Sequence, residues 1–83
     1  MKLTVLYFAR LREALACDAE TLVLPDGVGD IAGLRAHLVA RGGAWQALAA
    51  STVRAALNQD MATPDAVLRD GDEVAFFPPV TGG

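Results

Sequence analysis

Cysteine and histidine are almost absent from this chain, which has one of each, Cys17 and His37, among its 83 residues. An intrachain disulfide is therefore impossible, and a zinc site built from several cysteines is excluded. With one cysteine and one histidine, the chain can hardly form the usual pairs of a catalytic nucleophile and its activating base. The sequence therefore does not predict an active site of these common kinds.

Positive charge and long apolar runs are also scarce. Seven Lys and Arg face ten Asp and Glu, for a net charge of −3 and a pI of about 4.8. No basic patch is visible, so nucleic acid is not an expected partner. No apolar run approaches the ~18–20 residues of a membrane span. The short apolar start leads into Arg10 and Arg12 without a signal-peptide cleavage site, and we expect a cytoplasmic protein with no membrane partner.

Hydrophobic residues, by contrast, make up 53% of the chain, which is enough for the core of one small domain. No repeat, linker or low-complexity segment divides it. The acidic turn of Asp70, Asp72 and Glu73 has too few ligands for a metal ion, so no metal site is predicted.

Four segments have the alternation typical of strands, at 3–9, 20–24, 53–58 and 73–77. The first places Tyr7 in the core and Phe8 on the opposite face. The last follows an Asp-Gly turn and places Phe76 in the core, with Ala75 and Phe77 facing outward.

The longest helical pattern starts after Asp30, a plausible N-cap, and repeats through Ile31, Leu34 and Leu38 until Gly42-Gly43 ends it. Short helical segments are predicted at 9–15 and at 44–50. Trp45, Leu48 and Ala49 are the expected apolar contacts of the second segment. An α+β roll of the β-grasp kind is predicted from the order of the elements, in which two strands are followed by the main helix and then by further strands. Its mixed sheet would have about four to five strands, packed on one main helix, with the last strand beside the first.

The end of the chain is its most informative feature. Pro78 and Pro79 cannot donate ladder hydrogen bonds, so we expect a domain at 1–77 and an extended tail at 78–83. The tail, Pro78-Pro79-Val80-Thr81-Gly82-Gly83, could span about 20 Å when extended. Its last two residues have no side chains, so they could enter a narrow pocket of a partner.

The terminal carboxylate would need activation, because a carboxylate is a poor electrophile. The chain has no Gly-rich phosphate-binding motif of its own, so a partner would have to supply that chemistry. Taken alone, two terminal glycines would be consistent with a frayed end.

Several segments together resemble one family. They are the run from Asp70 to Gly83, the opening Val5-Leu6-Tyr7-Phe8-Ala9 with Arg12-Glu13, the helical Leu34-Arg35-Ala36-His37-Leu38, and Leu57-Asn58-Gln59. The chain resembles the small subunits of molybdopterin synthase, which are ubiquitin-like sulfur carriers. The segments cover most of the chain, and the terminal run is the most specific of them.

The resemblance implies a chain that carries sulfur and is not catalytic by itself. An E1-like adenylyltransferase would activate Gly83 with ATP. Sulfur from a persulfide donor would then replace AMP and leave a C-terminal thiocarboxylate, a 1-thioglycine. The chain would bind no cofactor itself.

The resemblance also implies a destination for the sulfur. The tail from Pro78 through Pro79, Val80, Thr81 and Gly82 would insert into the synthase large subunit. There Gly83 would donate sulfur to cyclic pyranopterin monophosphate, forming the dithiolene of molybdopterin. The assembly would be a heterotetramer.

Phe8, Phe77 and Met61 are predicted to form the interface with partners. Strand parity places the two phenylalanines outside the core, and exposed aromatics on one sheet face mark binding patches. Ordinary burial is the alternative for the two phenylalanines, and Met61, which lies near a predicted turn, could join their patch.

Other functions stay open on the sequence. They are a sulfur carrier for another pathway, such as thiamine thiazole synthesis, a ubiquitin-like protein modifier, and a binding module with an inert tail. Cys17 is expected to be an ordinary thiol rather than a persulfide carrier, since the sequence around it offers no activating neighbours. Arg10 and Arg12 either steer an acidic partner or keep a loop soluble.

Overall fold

The computed structural model describes residues 1–79 and contains one five-stranded sheet with its helices. The predictions for Val80, Thr81, Gly82 and Gly83 lie outside the described residues. No helix in the described part is long and apolar enough to cross a membrane. In chain order the elements are β1 Lys2–Tyr7, α1 Ala9–Leu15, β2 Ala19–Val23, α2 Ile31–Val39, a 3₁₀ helix Gly43–Ala49, β3 Arg54–Leu57, β4 Asp60–Ala62 and β5 Glu73–Phe77.

The last strand lies in the middle of the sheet, whose order is β2-β1-β5-β3-β4. β5 runs parallel to β1, with Tyr7 opposite Phe76, and antiparallel to β3, with Ala55 opposite Phe76. A parallel pair needs a long crossover connection, which here contains both α2 and the 3₁₀ helix. This topology confirms the predicted α+β β-grasp roll with its last strand beside the first.

The main helix begins where the sequence predicts. Asp30 has extended backbone angles, and its Oδ1 accepts a hydrogen bond from the Gly33 N–H at 2.7 Å. This satisfies one of the N–H groups that a helix start leaves without a partner. Ile31, Leu34 and Leu38 are buried against the sheet. The core is thus formed between α2 and the inner sheet face, and its largest fully buried side chains are Tyr7, Phe76, Leu3, Ile31, Leu34, Leu38, Leu48, Val5 and Val74.

β4 is the element that the sequence pattern does not resolve, because three residues are too few to display alternation. It pairs with β3, so that Met61 lies opposite Ala56 within the sheet. The connecting turn has Asn58 and Gln59 at φ of 50° and 74°, values that suit a tight hairpin turn. Met61 is therefore a strand residue, where the sequence indicated only the neighbourhood of a turn.

Three local expectations differ from the structure. β1 ends at Tyr7 and not at residue 9, because Ala9 has a φ of 53° and begins α1. Ala49 is exposed although Leu48 is buried, so the predicted apolar contact of Ala49 is wrong; in a 3₁₀ helix consecutive residues point in different directions. Ala75 lies on the outer face as predicted, yet it is buried. Its side chain is small and its strand is central.

Candidate partner interface and tail base

Strand register aligns apolar side chains across the outer sheet face. Leu6 of β1 lies opposite Ala75 of β5, Ala75 lies opposite Ala56 of β3, and Ala56 lies opposite Met61 of β4. Successive side chains alternate between faces, so these four side chains form one row on the face away from α2. The row crosses four of the five strands.

The two predicted interface phenylalanines belong to the neighbouring row of the same face. Phe8 follows Tyr7 at the end of β1, and its N–H donates to the carbonyl of Phe76 at 3.1 Å. Phe77 lies opposite Arg54 of β3. Phe8 is 47% exposed and Phe77 is partly exposed.

The structure thus brings Phe8, Phe77 and Met61 onto the same face as Leu6, Ala56 and Ala75. We call the surface formed by these six residues the docking face. Met61 is 63% exposed, so this face offers large apolar side chains to solvent. A contiguous apolar surface of this kind marks a site of association. That role remains a prediction for the three residues.

A groove of about 480 Å³ opens on the docking face where the tail begins. Its lining consists of Thr52, Arg54, Met61, Phe77, Pro78 and Pro79. The two prolines are partly buried and follow β5 directly. A partner that covers the docking face would therefore also cover the start of the tail.

Arg54 and Thr52 line this groove, although the sequence connected neither of them with the interface. The alternation of β3 placed Arg54 outward, as observed, because Ala55 beside it is buried. Its position opposite Phe77 depends on the pairing of β3 with β5, which are separated by fifteen residues that include the short strand β4. Only a known register could have identified it.

A polar network lies beneath the ends of β1 and β5. The Tyr7 hydroxyl donates to Glu20 Oε2 at 2.8 Å, and Arg41 donates to both carboxylate oxygens of Glu20 at 2.9 and 3.0 Å. The Arg41 guanidinium lies 4.4 Å from the centre of the Trp45 ring, and that ring meets the Tyr7 ring edge-on at 5.3 Å. The Tyr7 ring also stacks on Phe76 at 6.3 Å. These contacts fix the residues that directly precede the docking-face phenylalanines.

The network shifts the acidities of its members. The hydrogen bonds from Arg41 hold the pKa of Glu20 below its ordinary value, since they favour the ionised carboxylate. Burial raises the pKa of Tyr7 strongly, and its hydrogen bond to ionised Glu20 raises it further. Protonated Tyr7 and ionised Glu20 are therefore the pair that the folded state favours.

We expect Tyr7 to stay protonated until the protein unfolds in alkali. A raised pKa means that the contribution of Tyr7 to stability is present below the pKa of the unfolded chain, about 10, and is lost as pH rises above it. Tyr7 is the only tyrosine, so near-ultraviolet absorbance of the tyrosinate reports this residue alone. The absorbance change should coincide with loss of the far-ultraviolet circular dichroism signal. Ionisation near pH 10 with an unchanged circular dichroism spectrum would contradict the expectation.

Cys17 is partly buried, and its Sγ contacts the carbonyl oxygen of Ala19 at 3.6 Å. Burial, with the negative charge of Glu20, raises the pKa of the thiol. A raised pKa lowers the thiolate fraction, which is the nucleophilic form. This environment agrees with an ordinary thiol. Within residues 1–79 no three His, Cys, Asp or Glu side chains are grouped to hold a metal ion.

Comparison with known proteins gives a family match over nearly the whole chain. The ThiS family matches residues 5–83. The molybdopterin synthase sulfur carrier subunit of Escherichia coli is 48% identical over 80 residues, which cover 95% of this chain and 96% of that protein.

Solved structures agree with the fold. SAMP1 from Haloferax volcanii superposes with a TM-score of 0.83 at 23% identity and full coverage of both chains, which supports the β-grasp architecture alone. A chain in the complex of subunits 1 and 2 of the molybdopterin-converting factor from Helicobacter pylori superposes with a TM-score of 0.70 at 25% identity, again over both whole chains.

Proposed function

Because this chain belongs to the ThiS family, we propose that it is the sulfur-carrier subunit of molybdopterin synthase. The observation that carries the proposal is the 48% identity with a sulfur carrier subunit over almost the full length of both proteins. The family match also extends to Gly83, the residue on which the chemistry would occur. The docking face supports the proposal because it is continuous with the base of the tail.

In the proposed reaction, Gly83 is the attachment point. An E1-like adenylyltransferase lets the Gly83 carboxylate attack the α-phosphorus of ATP, which releases pyrophosphate. The resulting acyl-adenylate has an electrophilic acyl carbon. The outer sulfur of a persulfide donor then displaces AMP and forms an acyl disulfide. A second thiol reduces the S–S bond, becomes part of a new disulfide with the donor cysteine, and releases the thiocarboxylate. A thiocarboxylate is a strong nucleophile near neutral pH, so the chain needs no base of its own for the next step.

The domain delivers this group to the large subunit, where cyclic pyranopterin monophosphate accepts the sulfur. Phe8, Met61 and Phe77 dock against the partner. Pro78 and Pro79 keep Phe77 and Pro78 extended, since a proline disfavours helical backbone in the residue before it. Val80, Thr81 and Gly82 then enter the active site of the large subunit. Two sulfurs are needed for each dithiolene, so two thiocarboxylated carriers must act. They either replace one another at one site or act at two sites.

A complex of the two subunits of a molybdopterin-converting factor is known from Helicobacter pylori, which supports a large-subunit partner for this chain. We propose a heterotetramer in which a dimer of large subunits carries one small subunit at each end. We place the assembly in the cytoplasm.

Reconstitution with purified components tests the proposed function. The chain is incubated with an E1-like adenylyltransferase, ATP, a persulfide sulfur source and a thiol reductant, and its intact mass is followed. Exchange of one carboxylate oxygen for sulfur should raise the mass by about 16 Da. The product is then added to the large subunit with cyclic pyranopterin monophosphate, and formation of molybdopterin is measured.

Each alternative function predicts a different result in this experiment. An unchanged mass under activating conditions would contradict any carrier role. Conjugates of the chain with other proteins would indicate a modifier. A thiocarboxylate that supports thiazole synthesis but not molybdopterin formation would assign the carrier to the other pathway.

A further inference from the structure

One positive charge lies in the groove at the tail base. Arg54 is exposed, faces outward from β3 directly opposite Phe77, and lines the groove with Pro78 and Pro79. It is the only charged residue among the six that line the groove. Within residues 1–79 the one ion pair joins Arg41 to Glu20, and no acceptor in that part of the chain binds the Arg54 guanidinium.

Two other arginines of the chain are used by the fold itself. Arg35 donates to the carbonyl oxygens of Leu48, Ala50 and Val53 and thereby ties α2 to the segment before β3. Arg41 binds Glu20 through two hydrogen bonds. Arg54 has no comparable structural task within the described residues, and a strand position of this kind is better filled by a β-branched or aromatic residue.

Docking would change the surroundings of Arg54. A partner that covers the groove removes water from the guanidinium, and a charge that loses water without gaining a counter-charge weakens the complex. Arginine presents planar N–H donors that match a carboxylate in a two-pronged geometry. The side chain of Phe77, its cross-strand neighbour on the same face, can support the arginine stem.

We propose that Arg54 pairs with a carboxylate of the molybdopterin synthase large subunit when that partner covers the groove at the tail base. The inference rests on the proposed function and adds a charge contact to an otherwise apolar docking face. In an acidic chain of net charge −3, a local positive charge at this point also guides a carboxylate-bearing partner to the correct register.

The test compares binding of the large subunit from the same organism to the wild type, Arg54→Glu and Arg54→Gln. Arg69→Glu is the matched control, since Arg69 is also exposed and precedes β5 outside the groove. Association rates and Kd are measured between about 0.01 M and about 0.15 M ionic strength. Arg54→Glu should associate about tenfold more slowly at the lower value, and the deficit should shrink at the higher one. The association rate of Arg54→Gln should lie between those of the wild type and Arg54→Glu, and the rate of Arg69→Glu should match the wild type.

Several results would overturn the inference. Arg54→Gln binding like the wild type would show that the charge is not needed. A deficit of Arg54→Glu that is equal at both ionic strengths would indicate lost packing, and an equal deficit in Arg69→Glu would indicate only overall charge. A charge reversal that slows thiocarboxylation but not large-subunit binding would assign Arg54 to the activating enzyme.

Two controls separate this inference from its premises. Thermal unfolding establishes that the variants fold, and if Arg54→Glu does not fold, Arg54→Gln carries the test, with a smaller salt-dependent deficit expected. A wild-type chain that does not bind the large subunit at all refutes the proposed function together with this inference. Wild-type binding that no substitution alters refutes this inference alone.

Discussion

Deletion of Gly83, or addition of one residue after it, is expected to abolish thiocarboxylate formation and leave the fold intact. The proposed chemistry occurs on the terminal acyl carbon, so either change moves that carbon by one residue, about 3.5 Å along an extended chain. Near-attack geometry tolerates far less displacement than this. Sulfur incorporation should therefore fall to the background of a reaction without ATP.

Two measurements check this expectation. Intact mass after incubation with the activating components should lack the increase of about 16 Da that the wild type acquires. Thermal unfolding should be unchanged, because every buried residue of the described core lies at or before Phe76. Val67→Ala, at a 66% exposed loop position, is the matched control and should acquire sulfur normally. Normal sulfur transfer by the extended chain would refute the assignment of Gly83.

Replacement of Phe8 by alanine is expected to weaken the complex with the large subunit by about 30- to 1000-fold. Aromatic side chains at the centre of an interface contribute about 2–4 kcal/mol when truncated, and each 1.4 kcal/mol is about tenfold in Kd. Phe8 is 47% exposed before binding, so its removal should cost the isolated domain little stability. Calorimetric titration of the large subunit with each variant measures the change.

Val23→Ala provides the matched control for Phe8→Ala. Val23 is 70% exposed and pairs with Lys2 at the opposite end of β1 from Phe8, in the edge strand β2. It is thus a large apolar residue that is distant from the tail base. If Phe8→Ala and Val23→Ala bind equally well, the docking face does not lie where we place it. Phe77→Ala is less decisive, because Phe77 is partly buried and its truncation also affects the fold.

Local patterns predicted the parts of the fold that depend on neighbours in the chain. Alternation placed Tyr7 and Phe76 in the core because side chains of a strand point to opposite faces by geometry alone. The start of α2 at Asp30 was likewise predictable from the sequence, since an N-cap side chain binds backbone N–H groups only a few residues away. β4 could not be predicted from the local pattern, because its three residues form a strand only by pairing with β3.

The candidate site was predictable to a similar extent. The alternation of side chains along the strands identified Phe8 and Phe77 as outward residues. The groove that Phe77 forms with Arg54 and Pro79 could be predicted only from the register of β5 with β3. The bond between Tyr7 and Glu20 likewise depends on tertiary contact, because nothing in the alternation of either strand indicates which carboxylate will meet the hydroxyl.

The amino-acid sequence by itself determined the class of fold and the inward and outward sides of the main strands, and it predicts a tail that could enter a partner. These follow from steric rules that act over a few residues. Only the tertiary structure decided that Arg54, Met61 and Phe77 would share one groove at the base of that tail, and that Ala75 would be covered. Such neighbours come from strands distant in the chain, and their positions are set by hydrogen-bond pairing and core burial across the whole sheet.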